Sequence, residues 1–99
     1  MAAYVYGDIE VTDPEGYAAY RAGVPASIER FGGRFLVRGG EPTVLEGART
    51  PRRQVLLEFP DMAALRAWYD SPEYVRLREM RQRCSTGDLI AIEGVAPPV

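Results

Sequence analysis

The sequence predicts an α+β fold in which one antiparallel four-stranded sheet carries helices on one face, in the order βαββαβ. Three observations carry this. Apolar and polar residues alternate over several short stretches, each bounded by Gly, Pro or Asp, as half-buried strands do. An aspartate followed by helix-compatible sequence comes after the first strand and again after the third. The two halves also share one plan: strand, aspartate cap, helix, proline break, second helical piece, glycine, strand. Asp13 to Pro25 spans 12 positions and Asp61 to Pro72 spans 11, so the break falls at nearly the same depth in each half. Two such β-α-β units assemble as a sheet of spatial order 4-1-3-2, the ferredoxin-like arrangement. The expectation is one domain over residues 1–96, with 97–99 as a short tail.

In the first strand, Ala3 to Val11, Val5, Gly7, Ile9 and Val11 lie on one side, and Tyr4, Tyr6, Asp8 and Glu10 on the other. Asp13 is placed to offer a side-chain oxygen to the first free amides of a helix, with Pro14 at its first position and Glu15 at the positive end of its dipole. Tyr17, Tyr20, Val24, Ile28 and Phe31 follow at spacings of 3, 4, 4 and 3, one apolar stripe, and Gly32-Gly33 supplies a left-handed stop. Pro25 deletes an amide inside this helix and predicts a kink or break near Arg21 to Val24.

Gly33 to Arg38 is the second strand, with Phe35 and Val37 on one face and Arg34, Leu36 and Arg38 on the other, closed by Gly39-Gly40. A short extended piece, Thr43 to Glu46, and the polar stretch Gly47 to Arg52 form a long hairpin arm with a mobile tip. Arg53 to Phe59 is the third strand. Pro60-Asp61 opens a second helix bearing Leu65 and Trp68, and Asp70-Ser71-Pro72-Glu73 stops and recaps it for a run through Tyr74, Leu77 and Arg81. Thr86-Gly87 is expected to end that run, and Leu89 to Val95 to form the last strand.

Composition narrows the chemistry. A 99-residue chain buries only about 60 to 65% of its unfolded surface, so association with a partner surface is a natural source of further burial. The net charge of −2 argues against a nucleic-acid binder. No histidine is present, which excludes imidazole bases and histidine metal ligands, and the single cysteine, Cys84, excludes an internal disulfide or a multi-thiolate metal site. All 12 basic residues are arginine, so Schiff-base chemistry is also absent. No apolar run approaches a membrane span, and the first residues do not resemble a signal peptide; a cytoplasmic protein without metal, cofactor or membrane partner is expected.

With the helices over Val5, Ile9, Phe35, Val37, Val55, Leu57 and Phe59, the other face of the sheet shows Tyr4, Tyr6, Leu36, Leu56 and either Leu89/Ala91 or Ile90/Ile92. Such a patch is unusual on a monomer and predicts a sheet-to-sheet homodimer. The same face is expected to carry Asp8, Glu10, Arg34, Arg38 and Glu58, charges that must be paired or line a solvated cavity.

The segments Asp13-Pro14-Glu15-Gly16-Tyr17, Tyr20-Arg21, Gly32 to Gly40, Leu45-Glu46-Gly47, Leu57-Glu58-Phe59-Pro60 and Trp68 to Tyr74 together resemble the bacterial domain-of-unknown-function family 1330. The resemblance covers nearly the whole chain. It implies the dimeric α+β-barrel superfamily, whose members include cofactor-free monooxygenases, haem proteins and isomerases. It brings no catalytic residues with it, and the members that act through histidine have no counterpart here.

Asp8, Arg38 and Glu58 are the candidate catalytic residues. Two carboxylates in one cleft push one pKa upward and suit a general base and its partner, while a guanidinium clamps a carboxylate or enolate. The plainer alternative is a set of cross-strand ion pairs. Tyr6, Tyr20, Trp68, Tyr69 and Tyr74 are the candidate ligand-binding residues, framing an aromatic pocket for a flat organic molecule; the plainer alternative for the helix-borne rings is ordinary core. Arg78 and Arg81 suit the negative end of their helix, with an anion site as the alternative. Cys84 sits at a helix end that does not acidify a thiol and is expected to be a packing residue. The functional expectation is a homodimer that binds a small aromatic or carboxylated metabolite, as a cofactor-free enzyme or, alternatively, as a non-catalytic binding or assembly module.

Overall fold

The computed structural model describes residues 1–96, and the expected tail 97–99 lies outside the described residues. The elements run β1 (Ala3–Val11), α1 (Pro14–Arg30), β2 (Arg34–Gly40), β3 (Arg53–Phe59), α2 (Met62–Asp70), α3 (Pro72–Cys84) and β4 (Ser85–Glu93). The strands form one sheet of order β2-β3-β1-β4 with antiparallel neighbours, the ferredoxin-like βαββαβ topology.

Alternation along β1 determines which residues meet the helices. Val5 and Ile9 are buried beside Leu57 and Phe59 of β3, and α1, α2 and α3 close over them with Tyr17, Tyr20, Val24, Ile28, Leu65, Trp68 and Tyr74. The helix boundaries follow local chemistry. The Asp61 side chain accepts from the Ala64 amide at 2.8 Å, and Ser71 Oγ accepts from the Tyr74 amide at 3.1 Å, so α2 ends and α3 begins where a serine cap precedes Pro72. At the end of α1, Gly32 takes φ +78° while the Gly33 amide returns to the Ile28 carbonyl, a left-handed stop that a side chain would strain.

Several expectations are corrected. Asp13 is the N-cap residue of α1, but its side chain makes no capping hydrogen bond. Pro25 does not end α1, which runs unbroken from Pro14 to Arg30 because its buried stripe packs on the sheet along its whole length. Residues 43–46 form no strand. β4 begins at Ser85, directly after α3, rather than at Leu89. Gly87, expected to stop a helix, instead lies inside β4 with φ +134°, where a Cβ would collide with the Asp8 carbonyl of the neighbouring strand.

The correction with the widest consequence lies in β2. Arg34 pairs with Glu58 and Phe35 with Leu57, but the next partner of Leu56 is Val37, because Leu36 is an extra residue on its strand. A bulge of this kind turns over every side chain that follows it. Val37 therefore leaves the helix face for the open face, where it is 36% exposed, and Arg38, opposite Val55, crosses to the helix face.

Candidate functional site

The three candidate catalytic residues do not converge. Asp8 stays on the open face, but it is only 2% exposed because the 41–52 arm folds back over it. Arg49 Nη2 donates to Oδ2 at 2.6 Å, and the Arg52 amide and Arg52 Nε donate to Oδ1 at 3.1 and 3.3 Å. Burial pushes the Asp8 carboxyl up, but the Arg52 amide and the two guanidiniums outweigh that and hold it below the ordinary carboxylate value. Glu58 lies on the same face and receives Arg34 Nε at 2.9 Å, a cross-strand ion pair of the expected kind with a different arginine. Arg38 is on the other side of the sheet.

What Arg38 does there follows from Pro25. An α-helical proline has no amide to donate, so the carbonyl four residues earlier, that of Arg21, loses its partner. Arg38 Nη2 donates to this carbonyl at 2.7 Å, and its guanidinium lies over the Phe35 ring, 4.5 Å from the centroid. The bulge in β2 thus delivers a donor to the defect that Pro25 leaves in α1.

The candidate aromatic residues divide among three places. Tyr20, Trp68 and Tyr74 line a small cavity between helices and sheet, of about 30 Å³. Tyr69 lies outside it, in a groove of about 270 Å³ between α2 and the edge strand β4, with the Arg78 guanidinium 4.5 Å above its ring. Tyr6 is on the opposite face beside the arm and donates to Gln54 Oε1 at 2.5 Å. Around the cavity the rings fill much of the space themselves. Trp68 and Tyr74 have centroids 4.0 Å apart, Phe59 and Trp68 5.2 Å, and the Trp68 indole donates to buried Ser27 Oγ at 3.1 Å. Core packing therefore accounts for most of this cluster, as the plainer alternative held.

The remaining cavity wall is polar in an unbalanced way. Tyr17, Tyr20 and Tyr74 share it with Arg21, Arg38, Arg53 and Arg81, and no acidic residue lines it. The Tyr20 and Tyr74 hydroxyls meet at 3.0 Å, and burial, then the neighbouring Tyr74, pushes the Tyr20 phenol well above its ordinary value, so it stays neutral. Arg53 stands over the Tyr17 ring at 5.6 Å. Arg81 is 8% exposed and belongs to the buried face of α3 rather than to its solvated end. The signal for this was its place in the series Tyr74, Leu77, Arg81, Cys84, the spacing of an inward stripe. Cys84 is buried, and burial pushes its thiol up, consistent with a packing residue.

A single antiparallel sheet with its helices on one face, a second face that only the 41–52 arm partly covers, and a small helix-side cavity define the class: an α+β domain of the ferredoxin-like βαββαβ type. Within that class the chain belongs to the family described as domain of unknown function (DUF1330), which matches residues 2–95. Among solved structures it is similar to RPA0582, a protein of unknown function from Rhodopseudomonas palustris, with 21% identity over 97% of this chain and 84% of that one and a TM-score of 0.77. It is also similar to SnoaB, a cofactor-independent oxygenase from Streptomyces nogalater, with 17% identity over 97% and 94% of the two chains and a TM-score of 0.63. An antibiotic biosynthesis monooxygenase matches with 16% identity over 99% and 100% and a TM-score of 0.56. At these identities the likeness establishes the fold. No curated protein matches the sequence. No helix among the described residues is long and apolar enough to cross a membrane.

Proposed function

We propose that this protein is a homodimer that binds a small aromatic or carboxylated metabolite between its helices and its sheet. The observation that carries the reading is the cavity itself: a core of this size normally closes on its own side chains, yet here space remains under α1 and α3, walled by Tyr20, Trp68 and Tyr74 and by arginines. The similarity to a cofactor-independent oxygenase supports an organic ligand. Of the candidate aromatic residues, Tyr20, Trp68 and Tyr74 are the ones we assign to ligand contact.

Binding without catalysis is the form the geometry favours. Asp8 and Glu58 are already paired with arginines, and Arg38 is engaged by the Arg21 carbonyl, so none of the three is free to act as base or clamp. The dimer is supported by the open face, where Leu36, Val37, Ile90 and Ile92 are 41, 36, 49 and 50% exposed around Tyr4, Tyr6 and Leu56. A twin sheet is the simplest cover for such a patch. An unpaired buried thiol suits a reducing, cytoplasmic setting.

Trp68 is the chain's one tryptophan and lines the cavity, so its fluorescence reports on the site directly. Titration with a panel of small aromatic and aliphatic acids, amides and alcohols is expected to change that emission and raise the melting temperature for at least one chemical class. A panel that leaves both unchanged overturns the reading.

A further inference from the structure

Resting on the reading of the cavity as a ligand site, we infer that its occupant is an organic carboxylate whose head group is held by Arg81 and Arg53. The two residues come from different elements, α3 and β3, and their Nε atoms are both enclosed without a hydrogen-bond partner. None of the ion pairs among the described residues includes Arg21, Arg38, Arg53 or Arg81; the arginines that are paired, Arg30, Arg34, Arg49 and Arg52, all lie outside the cavity.

Burying the Arg81 guanidinium without a counter-charge carries a desolvation penalty, and an enclosed donor without an acceptor adds to it. Fourteen acidic residues are present in this chain, and none lines the cavity. The missing complement is an anion supplied from outside. A cavity of about 30 Å³ has room for one or two waters or a head group of similar size, so the head group of a larger acid is the part that enters it. Carboxylate fits this on three counts: it is small, it is planar, and it accepts parallel N–H donors from guanidinium. Of the Tyr20 and Tyr74 hydroxyls, one donates to the other, and the second has its O–H to offer the same anion. The body of the acid would extend toward the exposed side chains of Arg21 and Arg38, beside Phe35.

The experiment compares benzoate and acetate with benzamide and acetamide, and with chloride, by Trp68 fluorescence and melting temperature. It uses the wild-type protein and the variants Arg81→Met and Arg53→Met. The acids are expected to bind and the amides to bind at least tenfold more weakly. Each variant is expected to lose at least tenfold in acid affinity while its unliganded melting temperature holds or rises, because a desolvated charge has been removed. Equal binding of acid and amide overturns the carboxylate assignment while leaving the cavity as a ligand site; chloride protecting as well as benzoate also overturns it, as an inorganic anion site. Melting temperatures that fall in both variants, with acid affinity retained, make the two arginines structural and overturn it as well. If no member of either series binds, the ligand reading of the cavity fails first.

Discussion

Arg52 and Arg53 are neighbours in sequence and opposites in circumstance. Arg52, the last residue of the arm, lies on the open face and reaches Asp8 and Glu10 at 3.3 Å each, whereas Arg53, the first residue of β3, faces the helices, where its Nε has no acceptor. The same contrast holds for the two sides of the sheet. On the open side a buried acid is surrounded by arginines from the arm; on the helix side buried Arg81 and half-buried Arg53 have no acid. The first arrangement is complete within one chain and does structural work. The second is incomplete, and incompleteness of charge inside a core is the property expected of a site rather than of a scaffold.

The largest effect that tests this contrast is expected from Trp68→Ala. It empties the most tightly stacked part of the helix side and should lower stability by about 3–5 kcal/mol in denaturant unfolding. Asp8→Asn should cost roughly 2 kcal/mol by weakening its charge-assisted hydrogen bonds, and it should also alter the pH profile. The folded-state pKa of Asp8 is depressed, so its contribution is fully present above the unfolded value of about 4 and is lost as pH falls through the lower folded value. Wild-type protein should therefore lose stability on acidification below about pH 4, and Asp8→Asn should lose less over the same window. An identical acid limb in both proteins would remove Asp8 from the account.

A smaller effect separates the role of Arg38 from catalysis. Arg38→Met should cost about 1 kcal/mol by freeing the Arg21 carbonyl, and Pro25→Ala, which restores the missing helix amide, should recover much of that loss in the double variant. Additive losses would show that the guanidinium does not patch the helix. The smallest change in fold stability is expected on the open face. Ile90→Glu with Ile92→Glu should alter monomer stability by under about 0.5 kcal/mol, yet reduce the particle measured by light scattering from twice 11.0 kDa to 11.0 kDa. A wild-type protein already at the lower mass would leave the exposed face without its proposed cover.

Much of the architecture was legible in local pattern. Alternation in β1 and β3, the Asp61 and Ser71 caps and the Gly32 stop are determined by residues within a few positions of one another, and each appears where the sequence places it. The same locality explains the errors. Pro25 predicts a break because its amide is missing, but burial along α1 and a donor from β2 outweigh that deficit.

By itself, then, the sequence determined the elements, their order and the apolar character of both sheet faces, because periodicity and capping are short-range physics. Only the tertiary structure decided which charges meet. One extra residue at Leu36 turned Arg38 to the other face, the arm returned Arg49 and Arg52 to Asp8 across more than 40 positions, and α3 brought Arg81 to the same cavity as Arg53. Such meetings depend on register and long-range closure, and a single slip of register reverses every side chain beyond it.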